Sequence, residues 1–158
     1  MEFLLPFFKW CDSTWLGETI RDSRLYFPII ETFHLFALTV LLGAVVILNL
    51  RMCRIILRRQ PVRQLAMDLS PWALWSLVVI LVSGVLLFLS EALKCYASIP
   101  FQVKMVFLFA ALVFHFTVHR KVSRAERDPN LVSGVLVGTI NLLLWFGVGL
   151  GGRAIGFL

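Results

Sequence analysis

The stretch FPIIETFHLFALTVLLGAVVILNL, residues 27–50, is long and apolar enough to form a membrane-spanning helix. A helix needs ~20 residues to cross ~30 Å of hydrocarbon. Glu31 and His34 lie three residues apart near the start of this stretch. Ionisable side chains are costly inside a bilayer and are candidates for function by default. The stretch therefore predicts a span and also marks its outer end as a candidate site.

Three further segments, residues 72–89, 105–118 and 131–152, contain no Lys, Arg, Asp or Glu. The chain is 59% hydrophobic and 15% charged, which is too apolar for a soluble domain of this size. Long apolar runs without alternation predict helices, which satisfy their backbone in lipid. The sequence therefore predicts a single all-α domain, a bundle of four transmembrane helices. Their expected ranges are about 26–52, 71–96, 101–125 and 131–150, with Ser70 capping and Pro71 starting the second.

Residues 1–25 are expected to form an arm outside the span region. Its start, MEFLLPFFKWCDS, lacks the basic segment and long apolar run of a signal peptide. Aromatic and aliphatic residues interrupted by charges are typical of a helix that lies in the membrane interface. A cap near residues 12–14 and a kink or end at Gly17 are expected within this arm. The six glycines from Gly134 to Gly152 are expected to allow close helix contact or local unwinding.

Basic residues predict the orientation of the bundle. The segment after the first helix carries five arginines, and the segment after the third carries four lysines or arginines. Cytoplasmic loops are enriched in such residues, so both loops are expected in the cytoplasm and both termini outside. These loops account for the net charge of +6, which makes it a topology signal and not a nucleic-acid signal. We expect a multi-pass protein of the bacterial inner membrane with the lipid bilayer as its surroundings.

The three cysteines divide between the two sides of this topology. Cys53 is expected in the cytoplasm, and Cys11 and Cys95 outside. An oxidising exterior would allow Cys11 and Cys95 to form a disulfide, and the alternative is two free thiols.

A rise of ~1.5 Å per residue gives the depth of each polar group. Glu31 is expected ~8 Å and His34 ~12 Å below the outer entry of the first helix. They share one helix face because they are i and i+3. Met105 is expected just below Lys104 on the third helix. The groups expected to converge in the outer leaflet are Glu31, His34, Ser90, Glu91, Lys104 and Arg153.

His115 and His119 share a face on the third helix near the cytoplasm. His115 is expected ~9 Å deeper than His34, which makes the two a poor pair of ligands for one iron unless the third helix tilts or starts later. Packing among aromatics and ligation remain equal alternatives for His115. No CxxC, GxSxG, HExxH or phosphate-loop pattern is present, and the glycine-rich end of the fourth segment does not follow a strand.

The whole chain resembles an uncharacterised family of small four-helix bacterial membrane proteins. The segments that carry this resemblance are IRDS, FPIIETFH, LLG, NLR, SPW, SGVLLFLSEALK and FQVK.

Residues about 30–125 also resemble the haem-containing membrane protoporphyrinogen oxidase of bacteria, and through it the membrane domain of copper-resistance proteins. The matching features are His34 in the first helix, Pro71 and Gly84 in the second, and VKMVFLFAALVFH, in which Lys104 and His115 stand eleven residues apart. The resemblance implies that His34 is a haem ligand or active-site histidine. It implies that Lys104 is an essential partner, for example of a haem propionate, and that His115 is a second functional histidine.

Three functions are consistent with these observations. The first is a haem b protein that transfers electrons, with quinone or a redox protein as its partner. In it, His34 binds the iron, Glu31 orients the imidazole, Met105 is a candidate sixth ligand, and Lys104 and Arg153 face the propionates. The second is a non-catalytic subunit or assembly partner of a larger membrane complex or homo-oligomer. The third is a metal or solute permease.

Overall fold

The computed structural model describes residues 4–155, and all regular secondary structure in these residues is helical. The N-terminal arm contains two short helices, α1 (Leu5–Asp12) and α2 (Trp15–Asp22). Four segments follow that are long and apolar enough to cross a membrane. They are α3 (Tyr26–Met52), α4 (Val62–Ser90), the segment Ile99–Ser123, and α8 (Leu131–Ile155). The third comprises α6 (Ile99–Phe114), one π-helical turn (His115–His119) and α7 (Arg120–Ser123), and α5 (Ala92–Ala97) precedes it.

The predicted all-α, four-span architecture is confirmed. The first span has the predicted bounds, and the third and fourth differ from prediction only at their ends. We call the end that carries α1, α2 and α5 the arm end. We call the end that carries residues 53–61 and 124–130 the loop end.

The second span starts nine residues before the predicted Pro71, at Val62. Its first two turns bury Val62, Leu65 and Ala66 in a core cluster with residues of α3. This i, i+3, i+4 spacing forms one apolar helix face, and its packing outweighs the local effect of Pro71, which lies inside the helix. Ser70 is therefore not a cap, and its hydroxyl accepts a hydrogen bond from Arg124 Nη2 at 2.8 Å.

The second span also ends earlier than predicted, at Ser90 instead of Tyr96. Glu91 leaves the helical backbone conformation, with φ −135° and ψ 36°, and α5 begins at Ala92. The Glu91 carboxylate forms an ion pair with Lys94 in the first turn of α5. The chain therefore turns at Glu91, and α5 packs on α1 at the arm end.

The arm is packed onto the bundle through both of its helices. Helix α2 packs on α4, and the Cβ of a larger residue at Gly17 would meet the carbonyl of Leu89. Thr14 caps α2 by accepting a hydrogen bond from the Gly17 N–H at 3.4 Å, which confirms the expected cap. Trp10 and Trp15 remain exposed.

The four spans pack in a defined order. Helix α3 packs on α4 and α8, and α6 packs on α8. Close contact between α6 and α8 depends on Gly147, where any Cβ would overlap the ring of Phe107. In the described part of the chain, α4 and α6 make almost no direct backbone contact. They leave between them a gap, the α4–α6 gap, in which the two cavities described below lie.

The two loops at the loop end are joined by one carboxylate. Asp128 Oδ2 pairs with Arg51 Nη2 at 2.7 Å, and Asp128 Oδ1 accepts a hydrogen bond from the Val62 N–H at 3.0 Å. Arg51 Nε donates to the carbonyl of Gln60 at 2.6 Å. The side chain of Arg51 is only 5% exposed. Asp128 therefore neutralises a buried guanidinium and also accepts a hydrogen bond from a backbone N–H that has no partner within α4.

Candidate functional site

A cavity of about 470 Å³ lies in the arm-end half of the α4–α6 gap. Its volume falls within the ~300–1,000 Å³ typical of sites for cofactors and small ligands. Its ionisable lining residues are His34 of α3 and Lys104 of α6. Its aromatic lining residues are Phe7, Phe8, Phe88, Phe101 and Trp145. The arm-end cavity is therefore an apolar site with two convergent polar groups.

The tautomer of His34 follows from its hydrogen bonds. Its Nδ1 lies 2.8 Å from Ser83 Oγ. The single proton of that hydroxyl is donated to the carbonyl of Val79, so Ser83 Oγ accepts from His34. We assign the imidazole proton to Nδ1 on this basis. This assignment leaves Nε2 unprotonated, and it is the nitrogen available to a ligand in the cavity.

Gly84 provides space beside this imidazole. A Cβ at position 84 would lie 3.4 Å from Cε1 of His34 and 3.9 Å from its Nδ1. Any longer side chain would fill the volume next to the ring. The neighbouring residues Ser83 and Gly84 thus act together, because one fixes the ring and the other keeps the cavity open.

Lys104 is half-buried and extends across the last turns of α8. Cβ atoms at Gly151 and Gly152 would lie 2.9 Å from its Cβ and 3.6 Å from its Nζ, respectively. Among the described residues, no acceptor lies within hydrogen-bond distance of this ammonium group. The lining also includes Met105, whose side chain is partly exposed. The cavity therefore offers a positive charge, an imidazole nitrogen and a thioether to an occupant.

Four predicted members of the site do not line the cavity: Glu31, Ser90, Glu91 and Arg153. Glu31 is exposed and does not line the cavity, and the hydrogen bond expected from it to His34 is made by Ser83 instead. Residues i and i+3 differ by ~60° around a helix axis, which here turns Glu31 outward while His34 faces α4. Arg153 is likewise exposed and outside the lining. Glu91 pairs with Lys94 and is also absent from the lining.

His115 lines a second, smaller cavity of about 60 Å³ in the loop-end half of the α4–α6 gap. His119 lies beside it, with ring centroids 4.9 Å apart and 20° between the planes. His34 and His115 therefore do not face a common cavity. Trp145 is the one described residue that lines both cavities. No group of three His, Cys, Asp or Glu residues suited to a metal ion occurs between residues 4 and 155.

All three cysteines are free thiols, and Cys11 and Cys95 are buried. Burial raises the pKa of Cys95 to about 11, and the nearby Glu91 carboxylate adds to this increase. Burial also raises the pKa of Cys11 and of Cys53. These thiols are therefore protonated at neutral pH and are weak nucleophiles there.

Sequence reasoning missed Ser83 and Trp145. The sequence did contain a signal for Ser83. A hydroxyl next to a glycine in an uncharged span is a candidate hydrogen-bond partner for a histidine on a neighbouring helix. The dual position of Trp145 depends on how α8 is rotated in the bundle, and no sequence pattern gave that rotation.

Comparison with known proteins places the chain in one family. No curated protein and no solved structure matches it. The resemblance to protoporphyrinogen oxidase and to copper-resistance membrane domains receives no support from these comparisons, so it assigns no roles to His34, Lys104 or His115. One family profile matches residues 7–158, almost the whole chain. The chain therefore belongs to a family of unknown function (DUF6644).

Proposed function

We propose that this protein binds haem b in the arm-end cavity, with His34 as a ligand of the iron, and transfers electrons within the membrane. The observation that carries the proposal is the imidazole of His34, whose Nδ1–H is held by Ser83. A histidine that binds a metal usually donates its other ring N–H to a fixed acceptor. The bound haem would carry one electron at a time, and the residues of the chain would bind and orient it.

The rest of the lining suits a flat apolar group with acidic substituents. Phe88 and Phe101 stack with centroids 5.6 Å apart, and Phe8 meets Phe88 edge-on at the arm end. These rings form an apolar wall at one end of the cavity. Lys104 has no acceptor within the described residues, so its ammonium group is available to a carboxylate of the occupant. Met105 is a candidate second ligand, since thioether sulfur binds haem iron.

The electron partner we propose is a membrane quinone. The cavity lies in the gap between α4 and α6, which faces the surroundings of the bundle. A lipid-soluble partner could approach along this gap without entering water. We further propose that the protein resides in the bacterial inner membrane, with the basic loop end in the cytoplasm and the arm end outside.

The test is an absorption spectrum of the purified full-length protein, oxidised and then reduced with dithionite. We expect a Soret band and an α band typical of haem b, and we expect His34→Ala to lose both. His115→Ala is the matched control, because it removes a histidine from the other cavity and should retain both bands. Far-UV circular dichroism establishes that both variants remain folded.

A flat spectrum from a haem-replete host, and after addition of haem to the purified protein, would contradict the proposal. The alternative of a non-catalytic subunit in a larger membrane complex would then take its place. Equal loss of the bands in both histidine variants would also contradict His34 as the ligand, since it would point to a general effect on the bundle.

A further inference from the structure

Buried polar atoms without partners gather around the loop-end cavity. Native proteins pair nearly all of their buried polar atoms, so a group of unpaired ones indicates a polar occupant. His119 and Trp145 are only 1% and 2% exposed. His119 Nδ1, His115 Nδ1 and Trp145 Nε1 have no partner, and all three residues line the cavity. Two of the three side chains are thus almost fully buried, and each still has a ring nitrogen without a partner.

The size of this cavity limits what it can hold. A buried water needs ~10–15 Å³ of such volume. The volume of about 60 Å³ therefore admits a few waters or one small ion, and it is far too small for an organic cofactor. The loop-end cavity is thus a separate site from the arm-end cavity and takes a different class of occupant.

The charges around the cavity are all positive. Arg120 and Arg124 contribute to its lining, and no Asp or Glu does. Among the described residues, neither arginine has a carboxylate within ion-pair distance. Arg124 Nη2 donates to Ser70 Oγ, which also lines the cavity. A site with two guanidinium groups and no carboxylate favours an anion over a cation.

Two of the three unpaired groups can also serve an anion as donors. The indole N–H of Trp145 only donates. A neutral imidazole of His115 protonated at Nδ1 donates there as well. His119 differs, because its Nε2 lies 2.9 Å from Asn49 Oδ1, which only accepts. The proton of His119 is therefore on Nε2, and its Nδ1 contributes no donor. The π-helical turn His115–His119 brings the two rings together on one side. Such turns occur frequently at functional sites.

We infer that the loop-end cavity binds one small inorganic anion of about the size of chloride. Arg120 and Arg124 supply the positive charge, and the indole N–H of Trp145 with the Nδ1–H of His115 supplies donors. This inference does not depend on haem in the arm-end cavity. A cluster of waters is the competing occupant, and the experiment separates the two.

The test is the ³⁵Cl NMR line width of chloride titrated against the full-length protein in detergent. Sodium gluconate keeps the ionic strength constant, and detergent alone gives the background. We expect excess line broadening that bromide displaces, and we expect Arg124→Gln to lose most of it. Lys121→Gln is the matched control, since Lys121 is exposed on the same helix, lies outside the lining, and its loss should leave the broadening unchanged.

Two results would overturn the inference. No excess broadening in the unmodified protein would mean that the cavity holds water only. Full broadening in Arg124→Gln would mean that chloride binds elsewhere, for example at the basic loops. Trp145→Phe serves as a second variant if Arg124→Gln does not fold, because it removes a donor and leaves both arginines in place. Repeating the titration on His34→Ala separates this outcome from any failure of the haem proposal.

Discussion

Replacing Asp128 with alanine is expected to destabilise the protein substantially, although Asp128 belongs to neither cavity. The change leaves Arg51, which is 5% exposed, without its ion-pair partner. It also removes the acceptor for the Val62 N–H at the start of α4. A charge-assisted hydrogen bond contributes about 1.5–3 kcal/mol. A helix cap contributes about 1 kcal/mol. The partial exposure of Asp128 lowers the sum, so we expect a loss of about 2–3 kcal/mol.

The assay is SDS-induced unfolding in mixed micelles, followed by circular dichroism. Asp12→Ala is the matched control, because it breaks the more exposed ion pair with Arg21, and such pairs contribute ~0.2–1 kcal/mol. The double variant Arg51→Met with Asp128→Ala should recover part of the loss, since it no longer buries an unpaired charge. Equal effects of Asp128→Ala and Asp12→Ala would refute the reasoning.

Three further experiments test the packing of α6 on α8, the hydrogen bond to His34 and the reactivity of a buried thiol. Gly147→Leu should cost about 1–3 kcal/mol in the same unfolding assay because its side chain overlaps Phe107, whereas Gly149→Ala, in open space, should not destabilise the protein. Ser83→Ala should weaken haem binding ~10–100-fold in a spectroscopic titration, and unchanged affinity would refute its role in fixing the imidazole. Alkylation of Cys95 should be slow at pH 8 and accelerate as the pH approaches its pKa of about 11, because only the thiolate reacts. Rapid modification at pH 8, measured by mass spectrometry, would contradict the burial of this thiol.

The spans were predictable because membrane insertion depends on length and apolarity, which are read directly from sequence. The apolar stretch 27–50 led to a predicted first helix of about 26–52, which are the bounds of α3. The start of α4 was not predictable from the same rule. Its first two turns are amphipathic and are followed by Pro71, so the local sequence favoured a helix that begins only at Pro71. The helix instead begins at Val62, because Val62 and Leu65 pack on α3.

The sequence predicted how far along its helix each candidate residue lies, but not which side of the helix bundle the residue faces. The constant rise of a helix predicted that His34 and Lys104 lie towards the same end of the bundle, and the two line one cavity. The same rule placed Glu31 and Arg153 near that end, and neither faces the cavity. Depth depends only on position along a helix, whereas facing depends on how each helix rotates against its neighbours. That rotation is determined by contacts such as Gly147 with Phe107, which no single segment reveals.

Trp145 lies between the two proposed sites and allows them to be tested separately. Its ring contributes to the walls of both cavities, and its Nε1 has no partner. Trp145→Phe keeps an aromatic ring and removes only the indole donor and some volume. If Nε1 serves an anion in the loop-end cavity, this variant should lose chloride-dependent line broadening and keep the haem b spectrum. Loss of the spectrum with chloride binding intact would reverse the assignment, because it would place the indole donor in the arm-end cavity.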